Sequence, residues 1–180
     1  MKSFIFLVLS MLGFALQQSN AQAHSYKAFE WELLNVGYAW GELQKVSAKG
    51  VNFGTELRFN ATDNLAIGAK LSAAFLGTDV SGADIGYSGG YLLTGDYNFV
   101  DGYQPIRLFA GGQIGYLHGA SINGSTVTAG ATKGLGYGPR VGVEFGHARV
   151  TAQYVRSFAE YAPSYFSVSL GIVLWGGERN

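Results

Sequence analysis

The 180-residue sequence contains no cysteine. That excludes a disulfide scaffold, thiolate metal sites and an acylated lipoprotein cysteine. Charge is scarce as well. Only 13% of residues are charged, and twelve basic against twelve acidic side chains leave a formal net charge of zero. Such a balance points away from nucleic acid. The three histidines, His24, His118 and His147, are scattered and make no metal-ligand spacing. No cofactor and no metal are expected. Beyond the first residues there is no apolar run of the roughly 20 residues that a membrane-spanning helix needs. Glycine, by contrast, is abundant at 27 residues, and aromatic side chains make up 14%. That glycine share is about twice the usual one.

The chain begins MKSFIFLVLSMLGFALQQSNAQA. Lys2 precedes an apolar run from Phe4 to Leu16. Small-x-small sites follow at Ser19-Asn20-Ala21 and Ala21-Gln22-Ala23. This is the pattern of a secretory signal peptide, cleaved between residues 21 and 23. The expected division is a signal peptide over 1–23 and a single domain over 24–180. An exported chain without a helical span stays in the periplasm, leaves the cell, or enters an outer membrane as strands.

The stretch GLGYGPRVGVEFG, residues 134–146, indicates which. One alternate set is Leu135, Tyr137, Val141, Val143 and Phe145; the other is mostly glycine, with Arg140 and Glu144. A strand sends successive side chains to opposite faces. Seven further segments alternate in the same way, over about 28–40, 51–60, 65–76, 88–99, from Pro105 onward, 148–158 and 164–175. In the first, the phase slips near Asn35, which predicts a bulge. Pro139 interrupts the sixth, where a bulge or a position above the bilayer would accommodate it. The connections alternate too. NATDN (60–64), VDGYQ (100–104) and GHA (146–148) are short; 41–50, 77–86, 118–132 and 159–164 are longer. Short turns on one rim and longer loops on the other predict an antiparallel up-and-down barrel with both termini on the short-turn, periplasmic side. Asn123-Gly124 is a two-residue hairpin signal. It predicts that the fifth and sixth strands continue above the membrane as a ribbon.

The glycine-bearing faces carry Glu30, Glu32, Glu56, Arg58, Lys70, Asp96, Arg107, Arg140, Glu144 and Arg149, five of each sign. The opposite faces are apolar away from their ends. A lumen-filling charge network in an eight-stranded transmembrane barrel fits this division, because such a barrel is just wide enough for side chains to fill. Pairs drawn from Arg58, Arg107 and Arg140 with Glu30, Glu56 and Glu144 are expected. Aromatic residues gather at segment ends. Trp31, Phe59, Phe99, Tyr103, Phe145 and Trp175 form the lower set. Trp40, Phe75, Tyr91, Tyr116, Tyr137 and Phe158 form the upper set. Two aromatic girdles are the anchors of a membrane barrel. A soluble lipocalin-like barrel is the alternative; it would need the apolar faces inside and the ten charges outside.

With these features the chain resembles the small eight-stranded outer-membrane barrels of Gram-negative bacteria, the OmpX-like proteins and the OmpA membrane domain. The resemblance covers the whole of 24–180. It includes the final segment YFSVSLGIVLW, which looks like the insertion signal read by the barrel-assembly machinery. Here Trp175 is followed by GGERN, a departure from that pattern. The resemblance implies an all-β fold, outer-membrane lipid and lipopolysaccharide as surroundings, and the assembly machinery as a partner during insertion.

Function is expected in the outer loops, with His118, Ser121, Asn123 and Gly124 as candidates for contact with an extracellular partner. A non-enzymatic surface-interaction or envelope-integrity role is the primary expectation. A narrow pore for small solutes and a lipid A-modifying enzyme are the alternatives. His-Gly-Ala-Ser at 118–121 matches no hydrolase motif, and nothing sets a base beside a nucleophile. The glycine-rich pieces precede no helix, so the phosphate-cradling mechanism is missing.

Overall fold

The computed structural model describes residues 25–43, 46–78, 85–99, 104–123 and 126–175. The expected signal peptide (1–23), Tyr103 and Gly124 lie outside these residues. Eight strands follow in chain order: β1 (Phe29–Leu43), β2 (Val46–Asn60), β3 (Leu65–Thr78), β4 (Ile85–Asn98), β5 (Ile106–Asn123), β6 (Thr126–Phe145), β7 (Ala148–Ser157) and β8 (Ser164–Leu174). Each pairs antiparallel with its neighbour, and β8 returns to β1, closing the barrel in the order β1 to β8. Closure leaves no unpaired sheet edge around the wall, which is what lets strands cross a lipid phase.

Period-2 alternation drives this architecture. In β3, Leu65, Ile67, Ala69 and Leu71 are exposed while Ala66, Gly68, Lys70 and Ser72 are buried. The phase slip in the first segment is a bulge: the register against β2 shifts between Glu32 and Asn35. Leu33 and Leu34 consequently both face outward, and Glu32 and Asn35 both face the lumen.

Three local expectations are corrected. Residues 41–50 are not a long connection: β1 and β2 pair up to Leu43↔Val46, leaving only 44–45 between them. Lys49, Val51 and Phe53 face outward while Ala48 and Asn52 are buried, so strand alternation runs through a stretch whose polar composition suggests a loop. The ribbon hairpin has its two intervening residues at 124–125, because Asn123 itself pairs with Thr126. Pro139 is accommodated without a bulge. The β6–β7 register is the same at Tyr137↔Arg156 and Arg140↔Gln153, and the proline sits in the interruption between them. The proline has no N–H to donate, and the β6–β7 ladder is broken at that point without a shift of register.

The extension of β5 and β6 is not a free two-stranded ribbon: β4 pairs with β5 as far as Ile85↔Ile122, and only the outer part of β6 has an open edge. β5 and β6 have 18 and 20 residues, against 10 and 11 for β7 and β8. A membrane crossing takes about 9–11 strand residues. Pairing of β6 with β7 begins at Gly136↔Ser157, so the outer part of β6 rises beyond its neighbour. The 158–163 connection turns inward. Ala159, Ala162 and Pro163 are buried, and its backbone lies so close to Gly119 and Gly134 that a Cβ at either would collide with it.

Candidate functional site

The ten ionisable side chains of the glycine-bearing faces are all buried in the lumen, none more than 6% exposed. Alternation brings them inward from seven strands; the network follows from the register. Arg107 of β5 lies between Glu30 of β1 and Glu144 of β6, at 3.0 and 2.6 Å. Arg58 of β2 contacts the same two carboxylates at 3.0 and 3.1 Å. Arg149 of β7 links Glu144, at 2.9 Å, to Asp96 of β4. Arg140 of β6 then joins Asp96 to Glu56 of β2, reaching Glu56 with both terminal nitrogens at 2.8 and 2.7 Å. Thr94 donates to Glu56 at 2.7 Å. Lys70 donates to Gln153 at 2.8 Å.

This continuity has a physical reason. Glu32 and Glu56 stand directly opposite across β1 and β2, an unfavourable like-charge pair. Arginines reaching across the lumen offset it. Charges shielded from solvent must be paired and hydrogen-bonded, and the planar guanidinium fork serves two carboxylates at once. Asp96 is the hub of the upper part, a role that strand periodicity cannot assign because both its arginines come from β6 and β7.

Two lumen features do not register in a search for charges. Phe109 of β5 is buried, and the Arg149 guanidinium carbon lies 3.6 Å from its ring centroid. Gly142 makes room for that ring; a Cβ there would collide with it. Above the network, Ala39, Ala48, Ala74, Leu76, Leu92, Leu117, Val155 and Tyr165 form one buried apolar cluster. Seven strands contribute to it, and β6 supplies Gly136, whose missing side chain leaves space for Leu117. The lumen is therefore layered, with an ion-pair network at the short-turn end and an apolar collar towards the long connections.

The short-turn end is occupied by Tyr26. Its hydroxyl donates to the Gln104 carbonyl at 3.4 Å and accepts from the Gln104 N–H at 3.0 Å. The Arg107 guanidinium lies 4.4 Å from its ring centroid. The Ser25 N–H donates to Asp63 at 3.0 Å. Burial raises the Tyr26 phenol above its ordinary value.

The aromatic candidates Trp31, Trp40, Phe59, Phe75, Tyr91, Phe99, Tyr116, Tyr137, Phe145 and Trp175 all lie on the outer wall, partly or fully exposed. Several are in ring contact: Trp40 with Phe166 at 4.7 Å, Trp31 with Trp175 at 5.4 Å, and Tyr137 with Phe158 at 5.8 Å. Among the loop candidates, His118 touches the Tyr91 ring edge-on at 6.2 Å. Ser121 and Asn123 occupy the β5 arm of the ribbon, opposite Thr128 and Thr126. His118 therefore packs in the outer girdle, and among the described residues no hydroxyl or acid is hydrogen-bonded to it.

No protein-family model matches the sequence, and no curated protein does. Solved structures do resemble the fold. Neisserial surface protein A superposes with a TM-score of 0.64 at 15% identity, covering 83% of this chain and 98% of that one. Ail, the attachment invasion locus protein of Yersinia pestis, superposes with a TM-score of 0.51 at 16% identity, covering 82% of this chain and 99% of that one. At such identities the likeness concerns the fold: a closed eight-stranded antiparallel barrel of the kind found among small outer-membrane proteins.

Proposed function

We propose that the chain is an integral outer-membrane protein without enzymatic activity, acting in surface interaction or envelope integrity through its long connections. One observation carries the reading. Ten ionisable side chains are buried inside a closed barrel whose outward faces are apolar and aromatic. In water that arrangement is inside out. In lipid it is favoured, since a Lys or Arg facing the hydrocarbon midplane costs about 2–4 kcal/mol. Both termini then lie on the short-turn, periplasmic side. Insertion by the barrel-assembly machinery and contact with lipopolysaccharide belong to the same proposal.

The ribbon is the element suited to a partner. Among the described residues, 126–133 of β6 have no strand partner on the β7 side. An extended segment of another protein can add to such an edge by main-chain hydrogen bonds. A narrow pore is the weaker reading, because the lumen is filled by the ion-pair network and by a mainly apolar collar of buried side chains. Lipid A modification is weaker still, since His118 contacts a ring instead of a nucleophile.

The test is a gel of the outer-membrane fraction, unboiled against boiled in SDS. The expected result is a heat-dependent change in mobility. A single unshifted band in the soluble fraction overturns the proposal.

A further inference from the structure

At the outer ends of β1, β8 and β7 the register aligns two rows of outward side chains. Trp40 of β1 is opposite Phe166 of β8, which is opposite Tyr154 of β7. Two residues further out, Glu42 is opposite Ser164. Arg156 comes one step beyond the Val155↔Tyr165 pair, which sets it on the other side of the same serine. All six line a cavity of about 680 Å3 bounded by the 158–163 connection, which contributes Glu160. The cavity is aromatic towards the apolar belt and charged at its outer end. Glu42 and Arg156 stand on strands two apart, with backbones roughly 10 Å from each other. Among the described residues neither takes part in an ion pair.

We propose that this cavity seats a membrane amphiphile whose head group carries both a phosphate and a primary amine. The Arg156 guanidinium offers the phosphate a planar set of donors. Glu42 and Glu160 take the ammonium. The hydrocarbon chains descend along Trp40, Phe166 and Tyr154, where aromatic rings anchor at a membrane interface. Two arguments favour a zwitterion over an anionic lipid. One cation faces two acids in the lining, so a purely anionic head group meets net repulsion. Lys49, opposite Trp40 on β2, is not part of the lining. Further, Arg156 and Glu42 flank Ser164 without meeting, and a phosphate with an amine a few ångströms away bridges that gap.

The inference rests on the membrane-embedded reading, and its test keeps the two separable. The folded, heat-modifiable barrel in detergent is titrated with dioctanoyl phosphatidylethanolamine or dioctanoyl phosphatidylglycerol, and bound lipid is read by native mass spectrometry. Phosphatidylethanolamine is expected to bind more tightly, by about tenfold. Glu42→Gln removes that preference, whereas Arg156→Gln weakens both lipids. Trp40→Ala weakens both lipids. Tyr91→Ala, on the far side of the barrel, changes neither. Equal binding of the two lipids overturns the proposal, as does a preference that survives Glu42→Gln. Equal binding by free phosphoethanolamine overturns the role given to the aromatic row. Loss of the heat shift itself would instead count against the membrane reading.

Discussion

Arg140 holds Glu56 and Asp96 together from β6, so three strands depend on one guanidinium. Removing one partner of a buried pair leaves an uncompensated charge, at a cost of about 3–5 kcal/mol. Arg140→Gln should lower barrel stability by that order, read as the urea midpoint of unfolding followed by the mobility shift. Arg156→Gln, on the outer surface, should leave the midpoint nearly unchanged. Gly142 is the complementary case, because a Cβ there meets both the Phe109 ring and the Val150 carbonyl. Gly142→Val should cost about 1–3 kcal/mol by overpacking, in the same assay. The charged residues were legible in the sequence because alternation alone assigns their face. Alternation with Arg107 sets Phe109 on the same inward face, but only the structure shows its ring packed against the Arg149 guanidinium.

At the level of elements, the ribbon and the N-terminal strap differ from the wall. β5 and β6 run beyond the length a bilayer needs, and pairing of the outer part of β6 with β7 is absent. Deleting residues 121–128 should therefore keep the heat-dependent mobility shift and abolish binding of the purified barrel to whatever surface it adheres to. Loss of the shift would mean that the ribbon is part of the folding unit. The strap is held by Tyr26. Its phenol is shifted upward, so the folded state favours the neutral form: its contribution is full below the ordinary tyrosine value and is lost as pH rises through the higher folded value. Proteolysis at the N-terminal segment should therefore increase above about pH 10. Tyr26→Phe, which cannot ionise, should remove that pH dependence. Turn composition marks 61–64 and 146–147 as short, but the expected short connection at 100–104 is not short: β4 ends at Asn98 and β5 begins at Ile106, a wider gap than 44–45 or 124–125 on the opposite rim. The 41–50 stretch reads as a loop because Lys, Gln and Ser are also ordinary residues of a strand that rises into water.

At the scale of the whole molecule, two layers close the lumen, and they make different predictions. The collar is mainly apolar, with the Tyr165 hydroxyl and the neighbouring Asn52 and Ser88 as its few polar groups, and a narrow, largely apolar constriction blocks conduction. Wild-type protein in planar bilayers should give no steady current. Leu92→Ser/Leu117→Ser should admit ions intermittently, whereas Glu56→Gln/Arg140→Gln, with the collar intact, should remain silent. Conductance from the second pair alone would assign the seal to the ion pairs. By itself the sequence determined the strand period, the strand number, the clean apolar band and the set of inward charges. Those depend only on which side of a strand a residue occupies, a property local to the chain. The tertiary structure decided which arginine meets which carboxylate, that Asp96 is shared, that the outer lumen is apolar, and that Glu42 and Arg156 flank one cavity. These depend on barrel closure and on the stagger between strands, which bring together residues as far apart in sequence as Glu56 and Arg140.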